Sequence, residues 1–132
     1  MTVVLDTCAI VWAVSDPEQL SPRAASLLEA HDTEVCVSAI SCAEIACAAE
    51  RGSLVIDRHW RLWFRHYVEL NGWTLLPVEL ESVEEAYALP GPFHRDPADR
   101  IIVAEARLRS APVVTADARI LDYPHVKTVW RT

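Results

Sequence analysis

Short β-branched runs alternate with helical stretches along this chain, and that alternation restricts the folds open to it more than any other feature. Val3-Val4-Leu5, Glu34-Val-Cys-Val37, Trp73 to Val78, Pro112-Val-Val-Thr115 and His125 to Trp130 read as strands. Ser21-Pro22 opens a helix that ends near His31-Asp32, with Ser as N-cap and Pro as the first helical residue. Ser38 caps a second helix, which Gly52 stops. Between Asp57 and Gly72, Trp60, Trp63, Phe64 and Tyr67 recur at helical spacing and mark a core-facing stripe. Glu79 to Leu89 reads as a helix with Val83, Ala86 and Tyr87 inward. Leu89 to His94 is a loop, Ala98 to Ser110 a helix, and Ala118 to Leu121 at most one turn. Strands separated by helices build a parallel sheet with helices on both faces. The expected architecture is α/β, one domain over residues 1–132, with a parallel sheet of four to five strands.

Composition agrees with a packed domain. Hydrophobic residues make up 52% of the chain, and only 3 residues are glycine. The formal charge of -7 disfavours a protein that coats nucleic acid through a basic surface. It does not exclude a nuclease, because carboxylates that gather round a cation are counted in that total. Cys8, Cys36, Cys42 and Cys47 form no C-x-x-C pair and have mostly apolar neighbours. They read as buried free thiols rather than a zinc site or a disulfide framework. The apolar start MTVVLDTCAIVWAV lacks a basic head and is broken by Asp6, and no run is long enough to span a bilayer. A soluble, cytoplasmic protein is expected.

In a parallel sheet the ligand site lies beyond the carboxyl ends of the strands. Asp6 follows the first strand directly. The second strand runs into the helix that carries Glu44. Asp117 stands two residues past the fourth strand, and Asp96-Pro-Ala-Asp99 opens the helix that leads into it. Asp6, Glu44, Asp99 and Asp117, with Asp96 nearby, are therefore expected at one edge. Clustered carboxylates repel, and a hard divalent cation removes that penalty. Oxygen ligands suit Mg²⁺ or Mn²⁺, and such an ion supports phosphodiester hydrolysis by water. A simpler reading exists for several of these acids. Asp96-Pro-Ala-Asp99 matches a helix cap worth ~1 kcal/mol, Asp117 suits a capped turn, and Glu44 suits a solvated helix face. Asp6, between Val3-Val4-Leu5 and Thr7-Cys8-Ala9, resists such an explanation.

Four stretches, VVLDTCAIVWA, VSAISCAEIACAAERG, FHRDPADRIIVAEA and VVTADARIL, occur in the order and spacing of the PIN-domain ribonucleases. The resemblance runs from Val3 to about Leu121 and is nearest to the VapC toxins of toxin–antitoxin pairs. It implies a Mg²⁺- or Mn²⁺-dependent endoribonuclease acting on RNA, a cognate antitoxin protein that inhibits it, and a homodimer. By resemblance Asp6, Glu44, Asp99 and Asp117 match the four catalytic, metal-binding acids. Asp96 is the additional acid of the HxDPxDR subgroup. It is expected to cap the helix and to touch metal through water. Thr7 and Thr115 match hydroxyl-bearing neighbours of the site.

Other features are open to two readings. Arg58, Arg61 and Arg65 suit an RNA backbone, but a solvated face opposite the aromatic stripe is favoured. His94 and Arg95 either steer a phosphate or solvate their loop. Arg100 is expected to pair with a carboxylate. Rival enzymes lack their signatures: Cys8 stands where a haloacid-dehalogenase phosphatase needs its second Asp. No GxxxxGK[ST] is present. The surviving alternative is a non-catalytic binding module of the same fold whose acidic pocket receives a basic partner.

Overall fold

The computed structural model describes residues 1–131. Five strands form one sheet: β1 (Thr2–Leu5), β2 (Glu34–Ser38), β3 (Thr74–Leu76), β4 (Val113–Val114) and β5 (Thr128–Val129). Their order is β3-β2-β1-β4-β5, and every neighbouring pair is parallel. Among the described residues seven α-helices accompany them: α1 (Thr7–Ser15), α2 (Pro22–Glu29), α3 (Ala39–Glu50), α4 (Trp60–Leu70), α5 (Leu80–Ala86), α6 (Pro97–Leu108) and α7 (Ala118–Leu121).

The β1 and β2 strands are buried on both faces, as a sheet covered twice requires. Val3, Leu5, Val35 and Val37 face one layer with Ile10, Ile45, Trp63 and Phe64. Val4, Cys36 and Leu76 face the other with Ile102, Val103, Ala106 and Ile120. Alternation along the strands therefore assigns successive residues to opposite layers. The aromatic stripe on α4 lies in the first layer: Trp63 and Phe64 are buried, and Trp60 and Tyr67 pack against them half-buried.

The chain departs from the sequence expectation in three places. Helix α1 follows β1 without a loop. Its segment, TCAIVWAVS, is apolar on all sides, so it carries no amphipathic period to reveal it. On α5, Ser82 and Ala86 are buried, while Val83 and Tyr87 are 38% and 59% exposed. Ala86 packs against Ala104 and Ile101 of α6, and small residues on that face let the helices approach. Of the cysteines only Cys36 is buried; Cys8 and Cys47 are exposed. Among the described residues no helix is long and apolar enough to cross a membrane.

Strand order places the topological switch between β1 and β4. From β1 the chain goes to β2 on one side, and β4 lies on the other. Leu5 is opposite Val114, so Asp6 and Thr115 are the first residues beyond the paired ends. That crevice is where parallel sheets bind ligands.

Candidate active site

Asp6 ends β1 and caps α1, so one residue serves both elements. Its Oδ1 accepts from the Ala9 amide at 2.9 Å, and its Oδ2 accepts from the Thr115 hydroxyl at 2.5 Å. Thr115 Oγ1 in turn accepts from the Asp117 amide at 3.0 Å. This relay ties the ends of β1 and β4 to the start of α7. Asp6 is only 5% exposed and Thr115 is fully buried.

Glu44 comes from the second turn of α3, half-buried. The Thr7 hydroxyl donates to it in a short contact. Thr7 has a single hydroxyl proton, so Ser41, 2.9 Å away and buried, must be the donor in their contact. The chain Ser41 to Thr7 to Glu44 thus aims the carboxylate toward the β1 end.

Asp96 caps α6: its Oδ1 accepts from the Asp99 amide at 3.0 Å. Asp99 sits one residue beyond Pro97 and Ala98, with a side chain only 14% exposed. His94 Nε2 is 3.1 Å from its Oδ2, yet Nε2 has no hydrogen-bond partner, so the approach is close but poorly aligned. Burial, and then the Arg119 guanidinium, push the His94 pKa down. A neutral imidazole gives Asp99 no counter-charge.

Asp117 caps α7 and is held by Arg119. The Arg119 amide donates to Oδ1 at 2.8 Å, Nε reaches the same oxygen at 3.2 Å, and Nη2 reaches Oδ2 at 2.9 Å. Nη2 also stands 3.8 Å from Asp99.

The titration of these acids records their proximity. Burial pushes the Asp6 pKa up to about 6 against the hydrogen bonds from Thr115 and Ala9, and the charges of Asp117 and Glu44 add to the rise. Burial, followed by the charges of Asp96, Glu44, Asp117 and Asp6, takes Asp99 to about 7. Glu44 is raised by burial, with Asp96 adding and the Thr7 bond opposing. Asp117 alone is lowered, chiefly by the Arg119 hydrogen bonds. The Cys8 thiol, on an exposed residue, is raised to about 11, first because its sulfur is partly desolvated and then by the charges of Asp6, Glu44, Asp99 and Asp117. Acids from four separate elements therefore act on one another at a single edge.

Magnitudes separate the two readings of the Asp96–Asp99 pair. A cap contributes ~1 kcal/mol. Ionising Asp99 at a pKa near 7 rather than 3.8 costs the fold about 4 kcal/mol. Helix capping explains Asp96 and does not explain Asp99. The donor set is all carboxylate and hydroxyl oxygen, which fits a hard divalent cation. Among the described residues, however, no three His, Cys, Asp or Glu side chains already close on a common point. Each acid is turned instead to its own donor: Asp6 to Thr115, Glu44 to Thr7, Asp117 to Arg119.

The PIN-domain family model matches residues 3–126. The chain belongs to the PIN-domain family. This PIN-domain chain is 33% identical over 131 residues to the ribonuclease VapC22 of Mycobacterium tuberculosis, covering 98% of each sequence. Two solved structures share the fold. A toxin–antitoxin complex from Klebsiella pneumoniae superposes with a TM-score of 0.64 at 20% identity, over 96% of this chain and 95% of the other. VapBC2 from Rickettsia felis, bound to a DNA fragment from its promoter, superposes with a TM-score of 0.71 at 16% identity, over 99% and 100%.

Several side chains in this PIN domain were given other roles by sequence or none. Among the described residues Arg100 pairs with no carboxylate. Its Nη1 donates to the Phe93 and His94 carbonyls at 3.4 and 3.3 Å, and its guanidinium lies over Tyr87 and Phe93. It braces the loop before α6. Arg119, Ser41 and Cys8 belong to the rim and carried no sequence signal as site residues; the TADARI stretch, with Arg two residues after Asp117, was the one available hint for Arg119. Glu105, on α6, is fully buried beside the Ser38 and Ser82 hydroxyls, and burial raises its pKa against them.

Proposed function

We propose that this PIN-domain chain is a divalent-metal-dependent endoribonuclease, the toxin of a toxin–antitoxin pair. The observation that carries the reading is the mutual electrostatic coupling of Asp6, Glu44, Asp99 and Asp117, drawn from four elements to one edge, in a chain 33% identical to a ribonuclease. These four carboxylates would hold Mg²⁺ or Mn²⁺, with Asp96 reaching it at most through water. When bound, the ion supplies an activated water and neutralises phosphate charge for hydrolysis of the RNA backbone. Thr115 keeps Asp6 in a fixed rotamer, and the Ser41–Thr7 pair does so for Glu44. Asp96 fixes the first turn of α6, and thereby the direction of Asp99.

The partners follow from the same reading. The solved relatives are toxin–antitoxin complexes, and a basic antitoxin side chain suits an acidic rim. Arg119 already demonstrates that a guanidinium fits against Asp117. A groove of about 890 Å³ between α3, α4 and β3, lined by Trp60, Arg61, Phe64, Arg65, Val68 and Glu69 among others, suits an antitoxin helix. We assign the chain to the cytoplasm, where its RNA would be met, and assign it a homodimeric state.

Sequencing of RNA ends after brief expression tests the activity. The wild type should generate new, discrete ends that Asp6→Asn does not. Identical end profiles would remove the nuclease reading in favour of a non-catalytic binding module.

A further inference from the structure

Among the described residues Arg119 is the one Lys or Arg paired with these acids, and the reading above gives it no task. Its side chain is 60% exposed, so burial does not hold it in position. The carboxylates do. It engages both oxygens of Asp117 through separate nitrogens, at 3.2 and 2.9 Å, and extends Nη2 to within 3.8 Å of Asp99. Its Nη1 lies 3.5 Å from His94 Nδ1. The guanidinium thus engages one rim acid directly and stands close to a second. No other Lys or Arg forms a salt bridge with Asp6, Glu44, Asp96, Asp99 or Asp117 among the described residues.

We infer that Arg119 is a displaceable internal counter-ion: it occupies Asp117 and faces Asp99 until a divalent cation takes those oxygens, and so lowers the affinity of the site for metal. The inference rests on the metal-dependent reading above. Its physical basis is competition. A carboxylate that gives both oxygens to a guanidinium fork cannot give one to a metal without breaking a charge-assisted hydrogen bond. The fork also places a positive charge beside Asp99, where it repels a second cation. High exposure makes the exchange inexpensive, because the released guanidinium passes into water. The same contacts keep Asp117 turned toward α7.

The test is Mn²⁺ binding by titration calorimetry to the wild type and to Arg119→Gln, which removes the charge at an exposed position. Arg119→Gln should bind Mn²⁺ about five-fold tighter, the upper end for an exposed ion pair. The Mn²⁺ concentration for half-maximal RNA cleavage should fall by the same factor. Arg119→Lys, which keeps the charge without the fork, should lie between the two. A merely structural role for Arg119 would weaken binding or leave it unchanged. Equal or weaker binding by folded Arg119→Gln overturns this inference alone. An absence of Mn²⁺ binding in both proteins overturns it together with the reading on which it rests.

Discussion

Replacing Asp99 by Asn should stabilise the protein stripped of divalent ions, and the gain should depend on pH in a defined way. In the fold the Asp99 carboxyl titrates near 7, against the ordinary 3.8. The folded state therefore holds this proton more tightly than the unfolded chain. Stability from this group is complete below pH 4 and declines as the pH rises to about 7, where the loss levels off. At about 1.4 kcal/mol per pKa unit the full cost is ~4 kcal/mol. Asn keeps the shape and carries no charge, so it avoids that cost. Coupling to Asp96, Glu44, Asp117 and Asp6 shares the penalty among several groups, so the gain at pH 8 should be about 2–4 kcal/mol. In a thermal melt that is on the order of 10 °C for a domain of this size. The assay is urea unfolding in EDTA at pH 4, 6 and 8, for both proteins. The difference should be near zero at pH 4 and largest at pH 8. A variant no more stable than the wild type at pH 8, or a difference that ignores pH, would refute the reasoning.

Three further outcomes follow from the same geometry. Mn²⁺ should raise the melting temperature of the wild type, by linkage to the native state, and do so far less in Asp99→Asn; differential scanning fluorimetry reads both. Thr115→Val removes the buried hydroxyl that donates to Asp6 and should cost about 1.5–3 kcal/mol at pH 8 in urea unfolding, whereas Thr115→Ser should restore most of it. Trp63→Ala empties a 1%-exposed site in the α4 layer and should cost about 3–5 kcal/mol, while Leu80→Ser, 73% exposed, should stay within about 0.5 kcal/mol.

The sheet was legible because its strands are short, β-branched and buried on both faces, and because Ser21, Ser38 and Asp96 announce their helices as caps. Helix α1 was not legible. Thr7 to Ser15 is apolar throughout, and without a visible helix Asp6 had nothing to cap. The orientation of α5 failed for a related reason. Ala86 is buried as the pattern expects, but Val83 and Tyr87 are not, because close contact with α6 selects the small Ser82 beside Ala86. The strand-end rule pointed to Asp6, Asp99 and Asp117 because each lies beside a strand terminus or a helix start, and to Glu44 only through the helix that follows β2. Arg119 escaped because an Asp-x-Arg spacing is common and gains meaning only when α7 sets the guanidinium between Asp117 and Asp99.

The proposal rests on carboxylates distant in sequence together holding a divalent cation. Its most direct test is the Mn²⁺ affinity of the wild type beside Asp6→Asn, Glu44→Gln, Asp99→Asn and Asp117→Asn, measured calorimetrically on folded protein. A measurable wild-type affinity that falls in all four variants, though they change β1, α3, α6 and α7 separately, is the predicted result. No binding by the wild type, or binding that survives every substitution, would contradict it.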